Sequence, residues 1–219
     1  TEGRWQQTAS LRWEDYRFTV SGITRETTLT LPGIGWSRTQ RRGGVFPTWG
    51  NRYSLRLQGA SRSLASDIDL AKIIVSGKWL RSFGNRHYLL LRTEFGALET
   101  NDFSGLPLAH RFFAGGDQSV RGFAYQSISP ENDNGDRIGG KYLIATTAEY
   151  NYQFAKNWRA ALFVDGGTAT NDFSEQFEIG AGFGFRYLTP IGPIRIDHAW
   201  GLTKESKSTR LSITIGPEI

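Results

Sequence analysis

The chain has 219 residues, enough for one large β domain, and its 26 basic and 21 acidic side chains leave a modest net charge of +5. It has no cysteine, which excludes disulfides and thiolate metal sites, and no run of eighteen apolar residues, which excludes a membrane-spanning helix. The basic residues are scattered, with only Arg41 and Arg42 adjacent, so no stripe for nucleic acid is present. Many glycines and aromatics with few prolines instead suit tightly packed strands.

Alternation with period two runs along the whole chain. It predicts strands near residues 5–18, 26–40, 51–61, 69–83, 88–97, 141–154, 158–165, 175–189, 193–202 and 208–216, about ten in all and long enough to cross a bilayer at a tilt. In 158–165, Trp158, Ala160, Leu162 and Val164 share one face, opposite Arg159, Ala161, Phe163 and Asp165. In 175–189, Phe177, Ile179, Ala181, Phe183, Phe185 and Tyr187 oppose Glu178, Gly180, Gly182, Gly184 and Arg186. Arg56, Lys72, Lys78, Arg92, Glu94, Glu149, Arg195 and Asp197 fall on the same side as these polar residues. Glycines inside a strand let the sheet bend or another segment approach closely.

Connections alternate in length. Short turns are expected at 84–85, 155–157 and 189–192, longer polar ones at 19–25, 62–68, 101–140, 169–174 and 203–207, and an irregular one at 41–50. Short turns at one end and long loops at the other is the arrangement of an outer-membrane barrel, with the short turns and the end of the chain periplasmic. Tyr53, Trp79, Phe83, Tyr88, Tyr152, Phe154, Trp158 and Tyr187 cluster near the short turns, as an interfacial girdle would. The fold expected is thus all-β: an antiparallel transmembrane barrel whose apolar face meets lipid and whose charged face lines a lumen. A substitution at lipid-facing Ala181 should then cost more than one at lumen-facing Gly182. A soluble ligand-binding barrel, with the same apolar stripe as its core, is the competing reading.

The longest connection, 101–140, carries RFFAGGDQSVRGF at 111–123. Its glycines reach backbone angles closed to other residues, and Arg121 is a planar, permanently charged fork suited to carboxylates. Catalytic chemistry is not indicated. His87, His110 and His198 have no metal-ligand spacing and no G-x-S-x-G occurs, so neither an enzyme nor a cofactor or metal site is expected.

Three segments together, RFFAGGDQSVRGF, FVDGG at 163–167 and GPIRIDHAWGL at 192–202, resemble the outer-membrane BamA/TamA superfamily; FPTWGNRYSLRLQGA at 46–60 and the ending ITIGPEI favour its TamA-like branch. The resemblance implies a sixteen-stranded barrel preceded by periplasmic POTRA domains. This chain, as a single barrel region over 1–219, would match the last ten strands, with the POTRA domains and first strands absent. It implies that 101–140 is an extracellular loop folded into the lumen, where Val120, Arg121, Gly122 and Phe123 form a motif whose arginine meets Glu149 and Asp165, with Arg195 and Asp197 as neighbours. Arg210, Leu211, Ser212, Ile213, Thr214, Ile215 and Gly216 would be the terminal strand at a seam, its pairing ended by Pro217.

The function implied is assembly and insertion of outer-membrane proteins, autotransporters among them, in a Gram-negative outer membrane. A two-partner-type secretion pore or passive pore is the alternative. The partners implied are the lipid bilayer and lipopolysaccharide, client outer-membrane proteins and the inner-membrane-anchored TamB subunit, with no nucleic acid. Because bare strand edges are intolerable in lipid, either the first and last strands pair to close a small barrel, the favoured outcome, or two copies join edge to edge.

Overall fold

In a computed structural model the described residues are 3–20, 22–44, 46–172, 177–203 and 208–216. They form one antiparallel sheet of ten strands in chain order: β1 (Gln6–Val20), β2 (Ile23–Arg42), β3 (Trp49–Ala60), β4 (Leu70–Phe83), β5 (His87–Thr100), β6 (Tyr142–Ala155), β7 (Trp158–Thr170), β8 (Glu178–Thr189), β9 (Gly192–Gly201) and β10 (Thr209–Ile215). Helix is limited to two short 3-10 turns, Arg62–Leu64 and Leu108–His110.

Every strand pairs with its sequence neighbours, and the alternation sets the faces. Leu162, Val164, Phe183, Phe185, Leu211 and Ile213 are among the most exposed side chains, while Glu149, Asp165, Arg186 and Asp197 are buried on the opposite face. An exposed apolar face around a buried charged one inverts the order of a soluble domain, and it suits a sheet wrapped in lipid. Around the short turns, Arg81 stacks over both Trp49 and Trp79, with 4.6 and 4.2 Å from the guanidinium carbon to the ring centroids. Such cation–π pairs fit an interfacial belt, where a ring can be apolar on one side and wet on the other.

Several expectations need correction. The connection expected at 19–25 is a tight turn. β1 and β2 stay paired through Val20↔Ile23 and turn at Gly22, whose φ of +75° only glycine adopts freely. This makes β2 twenty residues long. The irregular connection at 41–50 shrinks to 43–48. Tyr88 leaves the girdle: its position on β5 opposite Ser82 and Asn151 turns it inward, where Arg159 stacks on its ring. Gly182 has no room for a side chain, because an added Cβ would meet the His198 carbonyl oxygen and the Phe163 ring. The idea that substitution there is mild therefore fails. The loop residues at 173–176 and 204–207, and Pro217, lie outside the described residues.

The sheet is open. β1 pairs only with β2 and β10 only with β9 among the described residues, so the favoured closure of first strand on last does not occur. What curls the sheet is the segment between β5 and β6. Leu106, Phe112, Ala114, Val120, Phe123 and Ile128 from that segment pack against inward residues of the sheet, including Leu29, Leu31, Leu70, Leu98, Leu143 and Ala169. The lumen expected to be polar is thus apolar at the long-loop end and polar toward the short turns.

The orientation of the stripe makes a direct forecast. Ala181 pairs with Val164, midway along β7, and faces outward. Ala181→Arg should destabilise the folded protein by roughly 2–4 kcal/mol in a bilayer. Urea titration of protein folded into liposomes measures this, and an effect below that of an arginine at exposed loop residue Asn134 would contradict a lipid-facing stripe.

Candidate functional site

Two glycines, one on each side, explain how the loop backbone comes to lie on the sheet. Gly122 has φ +96°, and a Cβ there would sit 2.6 Å from the Trp200 carbonyl carbon of β9. A Cβ on Gly180 of β8 would overlap the carbonyl oxygen of Arg121. Residues without side chains at both positions let backbone meet backbone. Val120 is fully buried beside Gly167 of β7, and Phe123 is buried in the apolar core. The two apolar residues of the motif thus hold the loop down on either side of Arg121.

Arg121 uses its fork fully. Nε and Nη2 donate to the two oxygens of Asp165 at 2.7 and 2.9 Å, a bidentate pair, and the Arg121 backbone N–H donates to Asp165 Oδ2 at 3.0 Å. Nη1 donates to Glu149 Oε2 at 2.8 Å and to Asp197 Oδ2 at 3.3 Å. The guanidinium lies flat on Phe163, 3.4 Å from the ring centroid. Burial alone would weaken its hold on the proton, but Asp165, Glu149 and Asp197 outweigh that and raise its pKa above the ordinary value.

The structure brings Glu149 and Asp165, the expected partners, onto Arg121, and with them Asp197, expected only as a neighbour. Arg186 of β8, singled out only as an inward charge, completes the network. Its Nη1 donates to Asp197 Oδ1 at 2.6 Å and its Nε to Glu149 Oε1 at 3.2 Å. Asn151 Nδ2 donates to Glu149 Oε1 at 3.1 Å. Asp165 and Arg186 have no accessible surface at all. Three carboxylates and two guanidiniums therefore alternate across β6 to β9 and the loop. Arg195 is half-buried on β9, opposite Arg186 in the β8–β9 register. Inward parity marks Arg186 as a candidate, but its choice of partners needs the cross-strand register.

A second set of contacts ties the loop to the other half of the sheet. His110 Nε2 and Glu14 Oε2 of β1 are 2.9 Å apart, Lys72 Nζ of β4 donates to the His110 carbonyl oxygen at 2.6 Å, and Thr27 Oγ1 of β2 donates to the Gly105 carbonyl oxygen at 2.9 Å. Arg92 of β5 donates from Nη2 to the Ser119 carbonyl oxygen and to Thr147 Oγ1, at 3.2 and 3.0 Å. One loop thus grips the inner face from β1 to β9.

The terminal strand presents Leu211, Ile213 and Ile215 outward and Ser212 and Thr214 inward, opposite Asp197 and Arg195. Arg210 pairs with Ala199, and the Gly216 N–H reaches the Pro193 carbonyl oxygen at 3.4 Å. Its second edge meets no strand among the described residues.

An Omp85 superfamily domain matches residues 6–218. The chain belongs to the Omp85 superfamily. Among relatives within this superfamily, it is 28% identical over 182 residues to the outer membrane protein assembly factor BamA of Nitratidesulfovibrio vulgaris, covering 78% of this chain and 23% of that protein. It is 23% identical over 226 residues to BamA of Neisseria meningitidis serogroup B, covering 84% and 28% respectively. The crystal structure of BamA from Haemophilus ducreyi lacking POTRA domains 1–3 superposes with a TM-score of 0.70 at 21% identity, over 88% of this chain and 44% of that one. The fold is therefore that of a BamA-like barrel wall, and the chain spans about a quarter of the length of the two BamA relatives.

Removing one partner from a buried charge network strands the others. Arg121→Ala should cost about 3–5 kcal/mol, because Asp165 loses its only bidentate partner. Arg121→Lys should recover only a small part of this, since a point charge cannot span both carboxylate oxygens. Denaturant unfolding in detergent, with limited proteolysis at 124–137 reporting on the loop, checks both; equal stability of the Lys variant and the parent would overturn the bidentate role. Gly180→Ala should likewise raise cleavage of the loop while leaving every charge in place.

Proposed function

We propose that this chain is the wall of a TamA-type assembly factor in the outer membrane, which helps autotransporters and other barrel proteins to insert and fold. The observation that carries the reading is the outer edge of β10, which meets no strand among the described residues, together with a loop anchored on the inner face of the sheet. In lipid each unpaired backbone N–H or C=O costs several kcal/mol, so a bare edge is a template for an incoming strand. β10 is short, seven residues, and holds a single strand partner, which makes it the side of the seam that exchanges more readily. The Val120–Phe123 motif acts as a lock: with Glu149, Asp165 and Asp197 neutralised by Arg121 and Arg186, the loop keeps the sheet curled while its edges stay available. In this reading the 101–140 loop enters from the extracellular side, the end of the chain is periplasmic, and lipopolysaccharide and a TamB subunit are partners of the full-length protein.

The names of the BamA relatives support an assembly role, and the aromatic belt with its outward stripe supports the bilayer as the solvent. The competing reading, a secretion or passive pore, requires the loop to leave the lumen, and the buried network works against that.

Photo-crosslinkers at Ser212 and Ile213 of β10 in the full-length protein separate the two. An assembly factor should capture nascent barrel strands there and lose client insertion when a disulfide locks the outer edge of β10, the one away from β9, to the strand across the seam of the full-length protein. Steady ion conductance with no strand captured at β10 would favour the pore and sink the proposal. Cysteines at Ala9 and Ile213 also report whether separate copies join by their edges, since the chain has no cysteine of its own.

A further inference from the structure

Below the loop, the inner face of β3 to β5 gathers cations in one row. Arg52, Lys78 and Arg92 stand directly opposite one another on β3, β4 and β5 in the registers Arg52↔Lys78 and Lys78↔Arg92. Facing side chains on an antiparallel pair have Cβ atoms about 5 Å apart, and like charges so placed repel. Arg56 lies two positions further along β3, on the same face. Opposite Arg56 on β2 is Gly35, with Gly33 next on that face. Their missing side chains open a hollow of about 540 Å³ between the cations and β1. Hydroxyls of Thr8, Ser10, Ser37, Ser54 and Ser76 line it beside apolar residues such as Ile34 and Leu55, with Ser54 and Ser76 Oγ 2.7 Å apart. Glu94 is the only carboxylate on the wall.

From this we propose that the hollow is a binding site for a phosphate-bearing anion. Four cations facing one carboxylate leave an excess of positive charge, and a phosphate, with up to about two negative charges and three acceptor oxygens, offsets more of it than a single carboxylate does. Guanidinium forks grip phosphate oxygens two at a time, an ammonium adds a point charge, and serine hydroxyls can both donate and accept around a tetrahedral group. The site differs from the Arg121 network, where each guanidinium already meets carboxylates. The two are joined, however, because Arg92 also donates to the loop at Ser119, two residues before Arg121. An occupied site would therefore bear on the loop's hold. The hollow reaches β1 and is open on one side, so the phosphate could come from solution or from a lipid headgroup.

The test uses the full chain in nanodiscs of phosphatidylcholine, with pyrophosphate as the probe in isothermal titration calorimetry. Saturable binding is expected, weakened about tenfold in Lys78→Gln and in Arg52→Gln, the loss of one charged hydrogen bond. Arg137→Gln, in an exposed ion pair with Glu131 of the loop, should bind like the parent. Because Lys78→Gln also relieves like-charge repulsion, it should fold at least as stably as the parent, so weaker binding cannot be put down to misfolding. A second arm compares nanodiscs containing phosphatidylglycerol. If the lipid headgroup is the natural source, pyrophosphate binding falls in those discs for the parent but not for Lys78→Gln; if the source is soluble, the discs make no difference. No saturable binding, equal binding by parent and both Gln variants, or tighter binding of an acidic peptide than of pyrophosphate would overturn the proposal.

Discussion

A guanidinium buried among carboxylates is stable only while every member of the set is present, and the rest of this structure is arranged around that condition. Arg121 reaches the wall from a loop, so the charge balance of β6, β7 and β9 depends on a segment that belongs to none of them. If the loop leaves, Asp165 is left buried without Arg121, Glu149 keeps Arg186 and Asn151, and Asp197 keeps Arg186. The network therefore fixes position more than it adds net stability, since desolvation of the charges offsets much of their attraction. The glycines at 122, 167 and 180 serve the same end by making space for backbone where a side chain would hold the loop away.

That anchoring accounts for an arrangement that would otherwise be unfavourable in lipid. Among the described residues the outer edge of β10 meets no strand. Here the curl comes from the inside: an apolar core between loop and sheet at one end, the charge network on the β6–β9 side, and His110, Lys72 and Thr27 on the β1–β4 side. Holding the sheet's shape from the inside leaves the outer edge of β10 free, among the described residues, for another strand. The proposed assembly role depends on this separation, and so does the distinction from a pore, whose lumen would have to be clear.

Much of this was legible from residue order. A two-residue period reports which side chains share a face whatever the neighbours are, so the outward stripe of β7 and β8 and the inward Glu149, Asp165 and Arg186 could be read off directly. The unusual glycines and the fork of Arg121 marked the loop because few other residues meet those conformational and geometric demands. Tyr88 shows the limit of placing a ring by its nearness to a turn: it shares its face with Arg92 and Glu94, which turn inward, and so it does too. Gly182 shows another, since its intolerance comes from Phe163 and His198, which lie far away in sequence.

By itself, then, the sequence determined the all-β class, the two faces and the residue at the centre of the site, because alternation and glycine placement are local properties of the backbone. Only the tertiary structure decided that Asp197 and Arg186 complete the network, that the first hairpin turns tightly at Gly22, that the sheet stays open, and that Arg52, Lys78 and Arg92 stand in one row. Each of these depends on the register between strands and on how far a loop reaches across them, and neither is encoded in the spacing of residues along a single strand.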